Sequence, residues 1–140
     1  MAEYEVPVPR DIEADIVASF AEAGINASTI VPADRKAGTI RVSRTGGTDD
    51  EYEGQRDVAD LLVEVWADDS VEAYATAQRC YAALMALALR GRTAQGEAIY
   101  SVEVAPPRTY DDPLTPDLYR VTFTAQISTT LENISIHLED

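Results

Sequence analysis

The residues that could carry out catalysis are few and lie far apart in this chain. Cys80 is its single cysteine and His137 its single histidine, so a nucleophilic Cys–His pair would have to bring these two together. Cys80 lies within an apolar stretch, which indicates a buried structural thiol, and we expect His137 to face solvent. The sequence contains no glycine-rich phosphate loop and no nucleophile elbow. We therefore predict that the protein is not an enzyme.

Three short acidic clusters are the candidates for a metal site. They are Asp49–Glu51, Asp68–Asp69 and Asp111–Asp112. None has the ligand spacing of a dedicated calcium loop, and runs of charge are usually solvated. We expect neither a metal nor a cofactor.

Composition and charge restrict the class of protein further. The 140 residues fit a single domain, and a hydrophobic content of 46% is ordinary for a globular one. The net charge of −14 disfavours a nucleic-acid reader, because a negative surface repels the phosphate backbone. The longest apolar run is too short to span a membrane. Met1 begins no basic, apolar leader, so we expect synthesis and folding in a cytoplasm.

The first half of the chain predicts one helix and two strands between irregular segments. Residues 1–10 contain two prolines and are expected to form an extended arm. Asp11 caps a helix whose Ile12, Ile16 and Phe20 form one apolar stripe, and Gly24 ends it. Strands are predicted for Asn26–Val31 and Thr39–Arg44. Residues 45–56, rich in glycine and acid, are expected to form a long flexible loop of the kind that is often functional.

The second half predicts a central strand, a buried helix and two further strands. Val58–Ala67 is apolar on both faces, as in a central strand. A helix capped by Asp69 runs to about Arg90 and is apolar nearly all round, so it is either deeply buried or covered by another subunit. Strands follow at Ala98–Ala105 and Tyr119–Leu131. The alternation of apolar residues then shifts by one at Glu132–Asn133, which indicates a bulge, a turn or departure from the sheet.

These elements predict an α+β fold with a mixed, mostly antiparallel β-sheet packed against two helices, in the order α-β-β-β-α-β-β. Residues 1–140 form one domain, and residues 132–140 are a separate C-terminal segment.

Without catalytic residues, we expect the protein to act through its surfaces. The loop is the first candidate for a partner contact. Arg41 and Arg44 belong to a locally basic stretch that we expect to pair with acidic residues, within or between subunits. The C-terminal segment could add a strand to the sheet of a neighbour. The candidate contact residues are Arg41, Arg44, Asp49, Asp50, Glu51, Tyr52, Ile134, Ile136 and Leu138.

A family resemblance rests on the order and pattern of the later elements. They are the strand Asp60–Ala67 ending in Val-Glu-Val-Trp-Ala, the helix Val71–Leu89, and Ser101–Pro107 leading through a Pro/Asp loop into Asp117–Leu131 with Tyr-Arg-Val-Thr-Phe-Thr-Ala-Gln at its centre. From about Asp11 to Leu131 the chain resembles the tail terminator proteins of long-tailed, non-contractile bacteriophages.

The resemblance implies a virion protein without catalytic activity. Such subunits form a ring, usually six-fold, at the head-proximal end of the tail tube. The ring stops polymerisation of the major tail protein and presents a surface to the neck or head-completion protein, while DNA only passes through its opening. With the net charge, this predicts a negatively lined opening. The alternatives are another neck or head-completion connector subunit, and a small α+β ligand-binding or enzyme-accessory domain, which would need a pocket with converging polar groups.

Overall fold

The computed structural model describes residues 1–49 and 56–139, and these form an α+β fold with mostly antiparallel strands, as predicted. The helices are α1 (Ile12–Glu22) and α2 (Ser70–Arg90). The strands are β1 (Ala2–Val8), β2 (Ile40–Asp49), β3 (Arg56–Ala67), β4 (Ile99–Val104), β5 (Arg108–Thr109), β6 (Tyr119–Thr130) and β7 (Glu132–Leu138). Among the described residues, no helix combines the length and apolar character needed to cross a membrane.

The helix ends form where the sequence predicts them. The Asp11 carboxylate accepts a hydrogen bond from the Ala14 amide at 3.1 Å, and Asp69 accepts one from the Glu72 amide at 2.7 Å. Both bonds satisfy a first-turn amide that has no partner within the helix. Gly91 ends α2 with a φ of +81°, a left-handed conformation that glycine adopts without strain.

The main sheet has the strand order β2-β3-β6-β4, and β5 also pairs with β6. All these pairs are antiparallel. The predicted central position of β3 is confirmed, because it lies between β2 and β6. Val63 lies opposite Val42 on one side and Phe123 on the other.

Both helices pack on one face of this sheet, and the core lies between them. The odd-numbered residues of β3 and β6 point into it, since side chains alternate along a strand. Helix α2 contributes Cys80, which is completely buried, and burial raises the pKa of its thiol to about 11. The predicted buried structural thiol is confirmed. The remaining large core side chains are Ile12, Ile16, Phe20, Val42, Leu61, Val65, Leu84, Leu87, Val121 and Ile127.

Residues 45–49 and 56 of the predicted loop 45–56 belong to strands in the structure. Strand β2 continues past Arg44 to Asp49, and β3 begins at Arg56. A register shift between Arg44 and Gly46 interrupts the pairing without ending it. Gly46 and Gly47, two of the glycines that predicted a loop, belong to this irregular strand, where Gly47 has a φ of +136°. Residues 50–55 lie outside the described residues.

The predicted strand Asn26–Val31 is wrong. Only Ser28 makes a bridge there, parallel to Arg41 of β2. The Ser28 hydroxyl accepts a hydrogen bond from the Ile30 amide and donates one to the Ile30 carbonyl, both at 3.0 Å. These local bonds satisfy backbone groups that a strand would use for pairing.

The expected N-terminal arm and C-terminal segment pair with each other. β1 and β7 form an antiparallel two-stranded sheet, separate from the main one, with Ala2 opposite Leu138 and Val8 opposite Glu132. We call it the β1–β7 ribbon. The shift of alternation at Glu132–Asn133 therefore marks the point where the chain leaves the main sheet, the third of the predicted alternatives.

Candidate assembly surfaces

Arg41 binds a buried carboxylate within its own chain. Its Nε donates to Oε1 of Glu64 at 2.6 Å, and Nη1 of Arg120 donates to Oε2 of Glu64 at 3.1 Å. Glu64 is only 2% exposed, on the sheet face that the helices leave free. A carboxylate this deeply buried is tolerated because two guanidinium groups compensate for its lost hydration.

Arg44 is committed to Asp57 in the same way. Nη1 and Nη2 donate to the two carboxylate oxygens at 2.6 and 2.8 Å, and Asp57 is 1% exposed. The hydrogen bond to Asp57 raises the pKa of Arg44 above its ordinary value. Both predicted contact arginines thus have partners inside the chain. Most of the N–H donors of these two guanidinium groups are already in use. A contact of either arginine across a subunit boundary stays a prediction.

A second buried polar cluster closes the helix-free face around the single tryptophan. Nε1 of Trp66 donates to Oδ2 of Asp112 at 3.0 Å, and the Leu114 amide and the Thr115 hydroxyl donate to the same carboxylate. Burial by itself would raise the pKa of Asp112, but these bonds and nearby Arg35 outweigh it and lower that pKa. Asp112 thus has a structural role, since it fastens the loop after β5 to the sheet.

A cavity of about 570 Å³ lies beside this loop on the helix-free face. Its polar groups are Glu64, Arg108, Tyr110 and Arg120, with Leu62 and Phe123 among the apolar ones. Nε of Arg120 also donates to the Tyr110 carbonyl at 2.7 Å, so this guanidinium is held from two sides. The cavity has the size of a small-molecule site, but Glu64 and Arg120 already bind each other.

The other predicted contact residues fall in two places. Asp49 ends β2, and Asp50, Glu51 and Tyr52 lie outside the described residues. Ile134, Ile136 and Leu138 lie on β7 and are exposed, although their strand pairs with β1 of the same chain. His137 is exposed beside them whereas Cys80 is in the core, so the structure does not bring these two residues together.

The β1–β7 ribbon is amphipathic. Its register places Tyr4 opposite Ile136 and Val6 opposite Ile134 on one face, which Ala2 and Leu138 extend. On the other face, Glu3 lies opposite His137 and Glu5 opposite Ser135. All seven residues of β7 are exposed, so the apolar face is uncovered. An isolated two-stranded sheet is marginally stable in water, so this face favours a binding partner.

Arg10 binds residues at the base of the ribbon, where the chain passes from β1 into the main domain and from β6 back into β7. Its Nη2 lies 3.0 Å from Oε2 of Glu97 and donates to the Leu131 carbonyl at 3.5 Å. Nη1 lies 3.6 Å from Oε2 of Glu132, and Nε donates to the Thr130 hydroxyl at 3.4 Å. The ribbon is therefore held in a defined direction by one side chain.

Helix α2 carries a second apolar surface, opposite its buried one. Ala73, Ala77, Cys80, Leu84 and Leu87 face the core. The outward residues recur at alternating spacings of four and three, the pattern of a helix that packs along a partner. We call them the outer stripe: Val71, Ala75, Gln78, Ala82, Met85 and Leu89, all exposed. Val71 is 79% and Leu89 90% exposed, so the predicted all-round apolar helix is covered within this chain on one side only.

Sequence reasoning missed Tyr4, Val6 and Arg10. The alternation of apolar and acidic residues in 2–6 signals a strand, but with prolines at 7 and 9 the segment is predicted only as an extended arm without a pairing partner. Pro7 fits because both strands of a two-stranded ribbon are edge strands. Arg10 has no local signal, since its partners are about 90 to 120 residues away in sequence. Within 1–49 and 56–139, no group of three metal-binding side chains converges.

Comparison with protein-family models found no match, and comparison with curated proteins found none either. Function must therefore be inferred from the surfaces themselves. The buried carboxylates of the polar clusters have partners within the chain, whereas two apolar surfaces are exposed.

Proposed function

We propose that the protein is a structural subunit that assembles into a ring and serves as the tail terminator of a long-tailed, non-contractile phage. The observation that carries this proposal is the presence of two uncovered apolar surfaces, the ribbon and the outer stripe, on separate elements of one chain. Two different complementary patches on each subunit produce head-to-tail contacts, which close into a ring when the rotation between subunits permits.

The distribution of charge supports a structural role over a catalytic one. Glu64, Asp57 and Asp112 are the deeply buried carboxylates, and each is neutralised or hydrogen-bonded by groups that hold strands or loops together. Buried carboxylates held in this way stabilise the fold. Few of the described side chains therefore remain free to act as a general acid or base. The proposal therefore assigns the protein no reaction.

The helix-free sheet face suits the opening of such a ring. Beyond the Glu64 cluster its exposed side chains include Glu103 on β4 and Thr124 and Gln126 on β6, and Arg108 lies exposed at the wall of the cavity. Gln126 donates to Asp60 of β3 at 3.1 Å, which holds that carboxylate on the same face. In our proposal this face lines the opening, where acidic groups repel DNA phosphates and let the genome pass without binding.

Deletion of the reading frame from the phage that carries it tests the proposal. Loss of a tail terminator should give overlong tails that fail to join heads, visible by negative-stain electron microscopy of lysates. Supplying the protein from a plasmid should restore tails of normal length. Normal tails beside heads that leak DNA would point instead to a neck or head-completion connector, and normal virions would refute both roles.

The cavity beside Tyr110 supports a second candidate, a ligand-binding or enzyme-accessory domain. Its volume of about 570 Å³ and the guanidinium of Arg108 at its wall fit a small acidic ligand. A thermal-shift screen of carboxylates and phosphate esters tests this, because a ligand at one hundred times its Kd should add about 2.7 kcal/mol to the free energy of unfolding. If an Arg108→Ala variant responds to a hit as the wild type does, the hit does not bind in this cavity.

A further inference from the structure

We infer that the apolar face of the β1–β7 ribbon docks along the outer stripe of α2 on a second copy of the chain. The inference rests on the proposed function in one respect, that the contact is the one that repeats around the ring. It commits to a second copy because this chain itself carries both halves of the contact.

The apolar face of the ribbon fits within the length of the outer stripe. Its three rows, from Ala2 to Val6, span about 13 Å at roughly 3.3 Å per residue. The outer stripe from Val71 to Leu89 spans about 27 Å at roughly 1.5 Å per residue. A ribbon laid along the helix therefore covers about half of the stripe, while its own apolar face can be covered completely.

They also match in shape. The ribbon presents three rows of large side chains, with Tyr4 and Ile136 in the middle row. The outer stripe places small side chains at Ala75 and Ala82, on either side of Gln78. Small residues let another backbone approach closely, so the large side chains of the ribbon have room on either side of Gln78.

The ribbon and the helix carry opposite charges around the contact. The polar face of the ribbon, which points away from the helix, carries Glu3 and Glu5, and the adjoining Glu139 is exposed. Arg79 lies beside Gln78 of the outer stripe, is exposed, and forms no ion pair with residues 1–49 or 56–139. The attraction between this cation and the acidic ribbon acts at long range, and it offsets part of the repulsion between two copies that each carry a charge of −14.

The size of the contact predicts a weak pair and a stable ring. If a large side chain exposes about 150 to 200 Å² when free, the partly exposed apolar residues of both surfaces bury at most about 800 Å² together. That is below the total of about 1,200 Å² typical of stable pairs. Closing the ring adds a contact without another loss of translational freedom, so isolated copies should be mostly monomeric until the tube or a high concentration gathers them.

Cross-linking between separately made chains tests the contact. A chain with Ile136→Cys is mixed with a chain with Ala82→Cys and treated with a short bismaleimide at pH 7. The buried native Cys80, with a pKa of about 11, should remain unmodified. Ser135 lies next to Ile136 on the opposite ribbon face, so Ser135→Cys with Ala82→Cys is the matched control. We expect the first mixture to cross-link at least tenfold faster than the control and faster than either variant alone.

A second measurement uses variants that block one surface each. Ile136→Asp should disable the ribbon and Met85→Asp the outer stripe, and both sites are exposed, so thermal unfolding should stay close to that of the wild type. At a concentration high enough for wild-type copies to form rings, each variant alone should lose them in electron micrographs. Mixed together at that concentration, the two should form at most pairs, because only one of the two kinds of junction has both surfaces intact.

The outcomes separate the contact from the proposed function. Wild-type rings with equal cross-linking in test and control mixtures would overturn the contact and leave the function standing. Specific cross-linking by a protein whose deletion leaves normal virions would support the contact and refute the function. Rapid cross-linking of Ile136→Cys chains with each other would show ribbon-to-ribbon pairing and overturn the inference.

Discussion

Arg10 and Glu97 form an ion pair at 3.0 Å that ties the β1–β7 ribbon to the body of the protein. Glu97 lies in the loop between α2 and β4, and Arg10 follows β1 directly. Thr130, the last residue of β6, donates to the same carboxylate at 3.3 Å. This one ion pair therefore joins both connections of the ribbon to the loop that follows α2.

Replacing Arg10 with Ala should release the ribbon and leave the main sheet folded. We expect amide hydrogen exchange in 2–8 and 132–138 to accelerate at least tenfold, while the free energy of unfolding falls by only about 1 kcal/mol, as for a partly exposed pair. Arg92→Ala is the control, because Arg92 is exposed and has no ion pair within the described ranges. Unchanged exchange in the Arg10 variant would show that other contacts hold the ribbon.

The pair between Arg44 and Asp57 should stabilise the single subunit. Asp57→Ala leaves a guanidinium without its buried partner and should cost about 3 to 5 kcal/mol in urea unfolding. Arg44→Ala should cost a similar amount, and the double variant clearly less than the sum of the two. Lys36→Ala, an exposed change in the same basic stretch, should have no effect above about 0.5 kcal/mol. If the Arg44 variant is as stable as the wild type at low protein concentration, Arg44 acts between subunits and not within one.

Two neighbouring glycines in β2 should differ sharply in their tolerance of alanine. A Cβ at Gly47 would overlap the Val58 carbonyl oxygen, and the φ of +136° is strained for any other residue. A Cβ at Gly46 meets only Oδ2 of Asp60, at 3.8 Å. Gly47→Ala should cost about 2 to 4 kcal/mol in urea unfolding, and Gly46→Ala less than about 0.5 kcal/mol. Equal costs would mean that the strand end adapts to a side chain.

The sequence predicts those elements whose signal is local. Asp11 and Asp69 mark helix starts by their own side chains, and Gly91 marks an end by its conformation. The alternation in Tyr119–Leu131 predicts β6, although Thr122 and Ser128 on its polar face are buried in the structure. Local signals also mislead, as at Ser28, where a side chain replaces the strand pairing that the pattern favours.

The candidate surfaces depend on contacts that sequence does not encode locally. Pairing β1 with β7 joins residues about 130 apart, and no short-range pattern specifies a partner at that distance. The outer stripe has the same limitation, because the apolar pattern of α2 gives two candidate faces and only the position of the sheet decides which one is buried. Arg41 and Arg44 could be predicted to seek carboxylates, but their partners follow from the register of β2 and β3.

Neutralising Asp15 should stabilise the protein at neutral pH. Burial raises the pKa of this carboxyl, and Glu97, Asp11 and Glu132 raise it further, while Arg10 opposes them. A raised folded-state pKa means that ionisation costs stability as the pH rises above the unfolded value of about 3.9. Asp15→Asn should therefore gain up to about 0.5 kcal/mol at pH 7, a small amount because the site is partly solvated. The gain should vanish below pH 3 in urea titrations, and a gain independent of pH would refute this explanation.

The opposite dependence is expected at Asp112. Its folded-state pKa is lowered, so the ionised carboxylate stabilises the fold above the unfolded pKa of about 3.9, and this contribution is lost as the pH falls through the folded value. Asp112→Asn should cost about 1 to 3 kcal/mol at pH 7, and the difference from wild type should shrink below pH 4.

The emission of Trp66, the single tryptophan, should shift to longer wavelength in Asp112→Ala as its indole loses this partner. Asp111→Asn is the matched control, since Asp111 is exposed and offers only its carbonyl, to Arg120. If both variants behave alike between pH 3 and pH 7, the carboxylate of Asp112 does not fasten this loop to the sheet.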